Sequence, residues 1–105
     1  MSINKIKSYG KLVLETEISG AKKLFKTINS DFAKVISKLS KIKGKVIITG
    51  VGKSGHIASK ISSTMSSTGT LSQYCSPTDM CHGDLGIVTK NDAIIIISCL
   101  LYTSP

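Results

Sequence analysis

Hydrophobic positions along this chain alternate between helical spacing and short unbroken runs. Tyr9, Leu12, Val13, Ile18, Ala21, Leu24 and Ile28 fall roughly on one helical face, so residues 8–28 are predicted to be helical, with Gly10 and Gly20 as blemishes. Ser30 or Asp31 is placed to cap a second helix, whose Phe32, Val35, Ile36, Leu39 and Ile42 keep the three-and-four spacing until Gly44. Residues 45–49 then read as a strand. A glycine-rich turn leads into a helix over 54–67, expected to bury Ile57, Ile61 and Met65. Gly69 stops that helix before a strand over 71–75. A loop over 76–92, with a short helix near 84–88, precedes a strand over 93–98.

The strands are continuous apolar runs, which marks a parallel sheet covered on both faces. Right-handed crossovers between such strands give an α/β fold with a doubly wound parallel sheet, a three-layer α/β/α sandwich. Ligands of such sheets bind at the carboxyl ends of the strands, where Thr49, Ser76 and Ser98 fall.

Thr49-Gly50-Val51-Gly52-Lys53-Ser54-Gly55-His56 lies between the first strand and its helix. Glycines let the backbone approach an anion, and the first N–H groups and dipole of the helix favour negative charge. Lys53 adds a cation and Ser54 a hydroxyl, so the expected ligand carries phosphate. Gly50, Gly52 and Gly55 fit the dinucleotide fingerprint, but that motif wants an acidic residue at the end of the next strand. Here that strand ends in Ser76-Pro77, and Asp79 comes only after the proline. A Walker A loop needs glycine where Ile47 stands, in mid-strand. A sugar phosphate needs the cradle without the ribose-reading carboxylate, together with polar groups facing the sugar, which the loop over 76–86 offers. The turn also reads as a tight helix start without a ligand. Lys53 and Ser54, standing where an anion would sit, favour the ligand.

Composition narrows the classes. The 105 residues suit one modest globular domain with 41% hydrophobic and 19% charged residues. The net charge of +8 raises nucleic acid as a partner, but the 14 basic residues are all lysine and are dispersed. They read as solvated helix faces that attract anionic substrates, with no nucleic acid partner. Cys75, Cys81 and Cys99 lack paired spacing, so no metal site is expected and the thiols read as reduced. The N-terminus has no signal-like apolar run, and 93–97 is too short to span a bilayer, so no membrane partner is expected.

Gly50-Val51-Gly52-Lys53-Ser54-Gly55-His56, then Ser67-Thr68-Gly69-Thr70, then His82-Gly83-Asp84-Leu85-Gly86 resemble the sugar isomerase (SIS) domain family. Within it, the order and spacing over residues 8–98 look like those of arabinose-5-phosphate isomerases. The resemblance implies interconversion of D-ribulose 5-phosphate and D-arabinose 5-phosphate, in supply of the lipopolysaccharide sugar Kdo or a related capsule pathway of a Gram-negative bacterium. It also implies a cytoplasmic, tetrameric enzyme with no required cofactor.

Aldose–ketose isomerisation passes through an enediol and needs an acid/base group and a cation near the developing oxyanion. His82 is the acid/base candidate, histidine being the side-chain type best suited to proton transfer at neutral pH; a lone loop histidine also serves simply as a cap. Lys53 is the candidate electrophile or phosphate partner, against the reading of a solvated surface lysine. Gly52, Ser54, Gly55, Thr49, Ser98 and Asp84 are the candidate substrate-binding residues. Asp84 either orients His82 or caps the short helix. His56 reads as structural, and Asp79 stands where the family tends to carry glutamate.

After Ser98 the family continues as a second hydroxyl-rich loop with glycine and glutamate, whereas here Cys99 to Pro105 depart from it. The expected division is therefore N-terminal helices over 1–44, the N-terminal part of the SIS domain over 45–98, and a non-family tail over 99–105. On this reading the chain is a truncated form, inactive alone, with a hydrophobic sheet edge that invites association. The alternatives are a non-catalytic sugar-phosphate-binding domain and an isomerase of another phosphosugar.

Overall fold

The computed structural model describes residues 1–98, the side chains of Asp84 and Leu85 excepted. The expected tail over 99–105 lies outside the described residues. By its internal contacts the chain divides between Ser37 and Lys38 into two compact units.

The first unit is helical. Helix α1 spans Ile3–Lys23 and begins earlier than expected, because the Ser2 side chain accepts the Lys5 N–H at 3.2 Å and caps it. A 3-10 turn over Leu24–Thr27 closes it. Helix α2, Ser30–Lys41, crosses the division between the units. Its cap is Asn29 rather than Ser30 or Asp31: the Asn29 Oδ1 accepts the Phe32 N–H at 3.1 Å. Asp31 in its first turn and Lys38 and Lys41 in its last complement the helix dipole. Neither helix contains a buried residue.

The second unit holds a parallel three-stranded sheet of β1 (Val46–Gly50), β2 (Ser72–Tyr74) and β3 (Ala93–Ile97), in the order β2-β1-β3. Val46 pairs with Ser72 on one side and Ala93 on the other. Helix α3 (Lys53–Ser67) connects β1 to β2, and α4 (Pro77–Cys81) with a 3-10 turn (Asp84–Ile87) leads from β2 back past β1 to β3. The chain thus steps one way from β1 and then the other, which makes the sheet doubly wound. Helix α4 occupies what the sequence presents as loop; Ser76 caps it by accepting the Asp79 N–H at 3.1 Å, and Pro77 opens it.

Every residue of β1 is buried. Val46, Ile48 and Ala58 form the centre of the core, with Leu39, Ile42, Met65, Tyr74, Ile95 and Ile97 packed around them. Coverage on both faces holds for β1 alone: β3 alternates, with Ile94 and Ile96 exposed. The expected inner face of α3 is corrected as well. Ile57 and Ile61 are exposed, and the helix buries Ser54, Gly55, Ala58 and Ser62 instead. Small side chains let the helix lie close on the sheet, where serine hydroxyls then find partners. Ser62 Oγ and Ser72 Oγ are 2.9 Å apart, and the Ser72 hydroxyl donates to the Val46 carbonyl at 2.9 Å.

At the amino ends of β1 and β3 the polar groups close on one another. The Asp92 carboxylate accepts the Lys45 N–H at 2.8 Å, the Lys45 ammonium at 2.9 Å and the Thr89 N–H at 2.7 Å. The same ammonium donates to the Ile87 carbonyl at 2.7 Å. The Lys45 ammonium first, then the backbone N–H groups of Thr89 and Lys45, hold the Asp92 carboxyl far below the usual carboxylate range.

Candidate functional site

At the opposite, carboxyl ends of the strands a cleft of about 470 Å³ opens between the glycine turn, the start of α4 and the end of β3. Gly50, Val51, Ser54, Pro77, Ile96, Ile97 and Ser98 line it. This is where the strand order reverses, the position at which doubly wound sheets hold ligands.

The turn has its shape because three residues lack a Cβ. Gly52, at φ 61° and ψ −127°, stands in a backbone region that side chains disfavour and starts α3 without a side-chain cap. A Cβ on Gly50 would come 2.9 Å from the carbonyl oxygens of Ile97 and Ser54, and one on Gly55 2.7 Å from the Gly50 carbonyl oxygen. The first helical bond of α3 runs from the His56 N–H to the Gly52 carbonyl at 3.2 Å. The N–H groups before it stand at the positive end of the helix dipole, beside the cleft.

The sequence-predicted residues fall into three groups. Ser54 and Ser98 line the cleft directly, and Gly52, Lys53 and Gly55 belong to the turn that frames it. Lys53 is exposed on the first turn of α3 and has no ion-pair partner among the described residues. Thr49 lies beneath the turn, 5% exposed and outside the cleft lining, its Oγ1 without a hydrogen-bond partner among the described residues. His82 ends α4, its N–H bonded to the Thr78 and Asp79 carbonyls at 3.1 Å, and its side chain is exposed outside the cleft lining. The backbone of Asp84 opens the second 3-10 turn; its side chain lies outside the described residues. His56 is exposed on α3.

Gly50, Val51, Pro77, Ile96 and Ile97 complete the lining and are not among the candidate site residues read from the sequence. Pro77 was findable: it follows β2 directly, at the carboxyl edge of the sheet. The two isoleucines were not, since an apolar strand end looks the same whether it meets core or cleft. Among the described residues no group of His, Cys, Asp or Glu is arranged to hold a metal ion.

Residues 38–105 match the SIS domain model. The chain belongs to the SIS domain family. A protein of Rickettsia prowazekii (strain Madrid E), RP505, is 41% identical over 98 residues, which are 93% of this chain and 31% of that protein. The arabinose 5-phosphate isomerase KdsD of Salmonella typhi is 46% identical over 89 residues, 85% of this chain and 27% of that enzyme. A solved structure from E. coli CFT073, in complex with arabinose 5-phosphate, superposes with a TM-score of 0.86 at 39% identity. That superposition covers 93% of this chain and 52% of the other. This SIS chain thus spans about a third or less of the length of the curated relatives it matches.

Proposed function

We propose that this chain carries the phosphate-binding half of an aldose–ketose isomerase that interconverts D-ribulose 5-phosphate and D-arabinose 5-phosphate. The observation that carries this reading is the cleft at the switch point of the sheet. It is framed by a helix start without a side-chain cap and by Lys53, which has no ion-pair partner among the described residues. Its support is the similarity to KdsD enzymes and to a structure holding arabinose 5-phosphate. The substrate phosphate sits on the N–H groups at the start of α3, with Lys53 as counter-charge and the Ser54 and Ser98 side chains at the wall. Gly52 and Gly55 keep that wall free of side chains.

The chemistry moves a proton between two adjacent carbons. A base takes the proton from C2 of the aldose while an acid protonates the C1 carbonyl oxygen, giving the enediol; the C2 hydroxyl then gives up its proton as C1 is protonated, which leaves the ketose. His82 is the proposed acid/base group, and Asp84 the residue that orients it. The proposed whole protein is a cytoplasmic homo-oligomer, a tetramer, that feeds Kdo and lipopolysaccharide synthesis and needs no cofactor. Among the described residues no helix is long and apolar enough to cross a membrane.

A binding-only reading draws on one observation: His82 is exposed outside the cleft lining. Calorimetric titration of the 105-residue chain with arabinose 5-phosphate and with inorganic phosphate tests the site. The sugar phosphate is expected to bind more tightly, and Lys53→Ala to weaken it about tenfold by removing a charge-assisted contact. Equal affinity in Lys53→Ala would remove Lys53 from the site. Turnover to ribulose 5-phosphate that survives His82→Gln would remove His82 from catalysis. Binding without any turnover would favour the binding-only reading for this chain.

A further inference from the structure

Tyr74 is not part of the reading above, yet it touches the base of the glycine turn. Along β1 the even-numbered residues bond toward β2. The Val46 N–H donates to the Leu71 carbonyl at 2.9 Å, and the Ile48 carbonyl accepts the Cys75 N–H at 3.1 Å. Odd-numbered residues bond toward β3, as the Ala93 N–H does with the Lys45 carbonyl at 3.1 Å. The paired register on the β2 side ends at Ile48↔Tyr74; continued by one more pair of rungs, it would set the Gly50 carbonyl opposite the N–H of residue 77. Residue 77 is proline and has no N–H, so that position cannot supply a strand donor to the Gly50 carbonyl. The Tyr74 hydroxyl stands in that place, donating to the Gly50 carbonyl at 3.5 Å. It also lies 3.0 Å from where a Cβ on Gly55 would be, so one hydroxyl lies beside both ends of the turn.

We propose that Tyr74 is a positioning residue of the phosphate site, its hydroxyl replacing the missing strand rung and fixing the orientation of the Gly50–Val51 peptide. In a trans peptide the carbonyl and the N–H point in opposite directions. A Gly50 carbonyl held toward β2 keeps the Val51 N–H on the β3 side, at the Ile97 carbonyl where the Gly50↔Ile97 pairing ends and the cleft begins. A glycine before that peptide makes its rotation easy. The rotated peptide would turn a carbonyl oxygen toward the anion. The hydroxyl therefore acts on ligand affinity through the backbone, without touching the ligand.

This inference rests on the proposed sugar-phosphate site, and its test separates the two. The full chain and Tyr74→Phe are compared by titration with arabinose 5-phosphate and by NMR of the Val51 amide. Phenylalanine keeps the packing and removes only the hydroxyl. The expected result is an affinity about fivefold lower, the scale of one neutral hydrogen bond, with a moved Val51 amide resonance and little change in melting temperature. Equal affinity, or a Val51 resonance unchanged by the substitution, would overturn the role of Tyr74. A wild-type chain that binds no sugar phosphate would sink the functional reading instead, and the Val51 resonance would still decide whether Tyr74 orients the peptide.

Discussion

The two ends of β1 handle their polar groups in opposite ways. At the amino end, Lys45, Asp92, Thr89 and Ile87 close into a network in which the carboxylate and the ammonium both have partners. At the carboxyl end the pairing with β2 runs out at Tyr74, α3 starts without a side-chain cap, and Lys53 has no ion-pair partner among the described residues. One sheet therefore has a saturated end that fixes β1 against β3 and an open end where the cleft lies, the end at which the proposed anion would sit. On the proposed function, structural and ligand-binding chemistry are separated along a five-residue strand.

The largest expected effect comes from filling the open end. Gly55→Ala places a Cβ 2.7 Å from the Gly50 carbonyl oxygen and 3.0 Å from the Tyr74 hydroxyl. Backbone cannot yield there without moving the turn, so a loss of about 1–3 kcal/mol is expected, as for overpacking elsewhere. Chemical denaturation measures it, and sugar-phosphate affinity falls with it. A variant with unchanged midpoint and affinity would show that close α3–β1 contact is not what shapes this end.

The closed end responds to acid. Asp92 is held ionised far below the range of a free carboxylate, which titrates near pH 4 when unfolded. Its contribution is thus full above about pH 4. As pH falls below that value the unfolded chain takes up the proton first, and the contribution is lost by the time the folded carboxylate protonates. Asp92→Asn is expected to lower the midpoint at pH 7 by less than Gly55→Ala and to flatten the acid limb of the stability profile. Sugar-phosphate affinity should stay as in the wild type. An Asp92→Asn chain that lost affinity in proportion to stability would mean that the two ends are coupled.

How much of this was legible depends on which physical signal each feature leaves in the sequence. The β1–turn–α3 unit was readable because an apolar run, closely spaced glycines and a helix occur in a fixed order. The SIS family was readable from the two motifs around Lys53 and His82. Helix α4 was missed because five residues are too few to show a period, although Ser76-Pro77 carries its cap and first position. The Lys45–Asp92 network joins residues 47 apart and leaves no local pattern. The inner face of α3 was misread because hydrophobicity was taken as the sign of burial. At a glycine turn that brings helix and strand together, size decides first, so Gly55, Ala58 and Ser62 go inward and Ile57 and Ile61 outward.

That reversal gives the smallest expected effect and sharpens the contrast between the ends. If α3 is held by its small face and by the turn at the open end, its large apolar residues contribute little within the chain. Ile57 is 51% exposed, so Ile57→Ser removes apolar surface that remains largely in contact with water. A change within about 0.5 kcal/mol is expected, the usual range for surface substitutions. The serine also lowers helix propensity slightly, which sets the sign toward destabilisation. Denaturation at several protein concentrations is the measurement. A cost comparable to that of Gly55→Ala, independent of concentration, would return Ile57 to the core and restore the hydrophobic reading of the helix. A cost that appears only as concentration rises would mean that the exposed isoleucine is buried against a second copy, leaving the small face as what holds α3 to β1 within one chain.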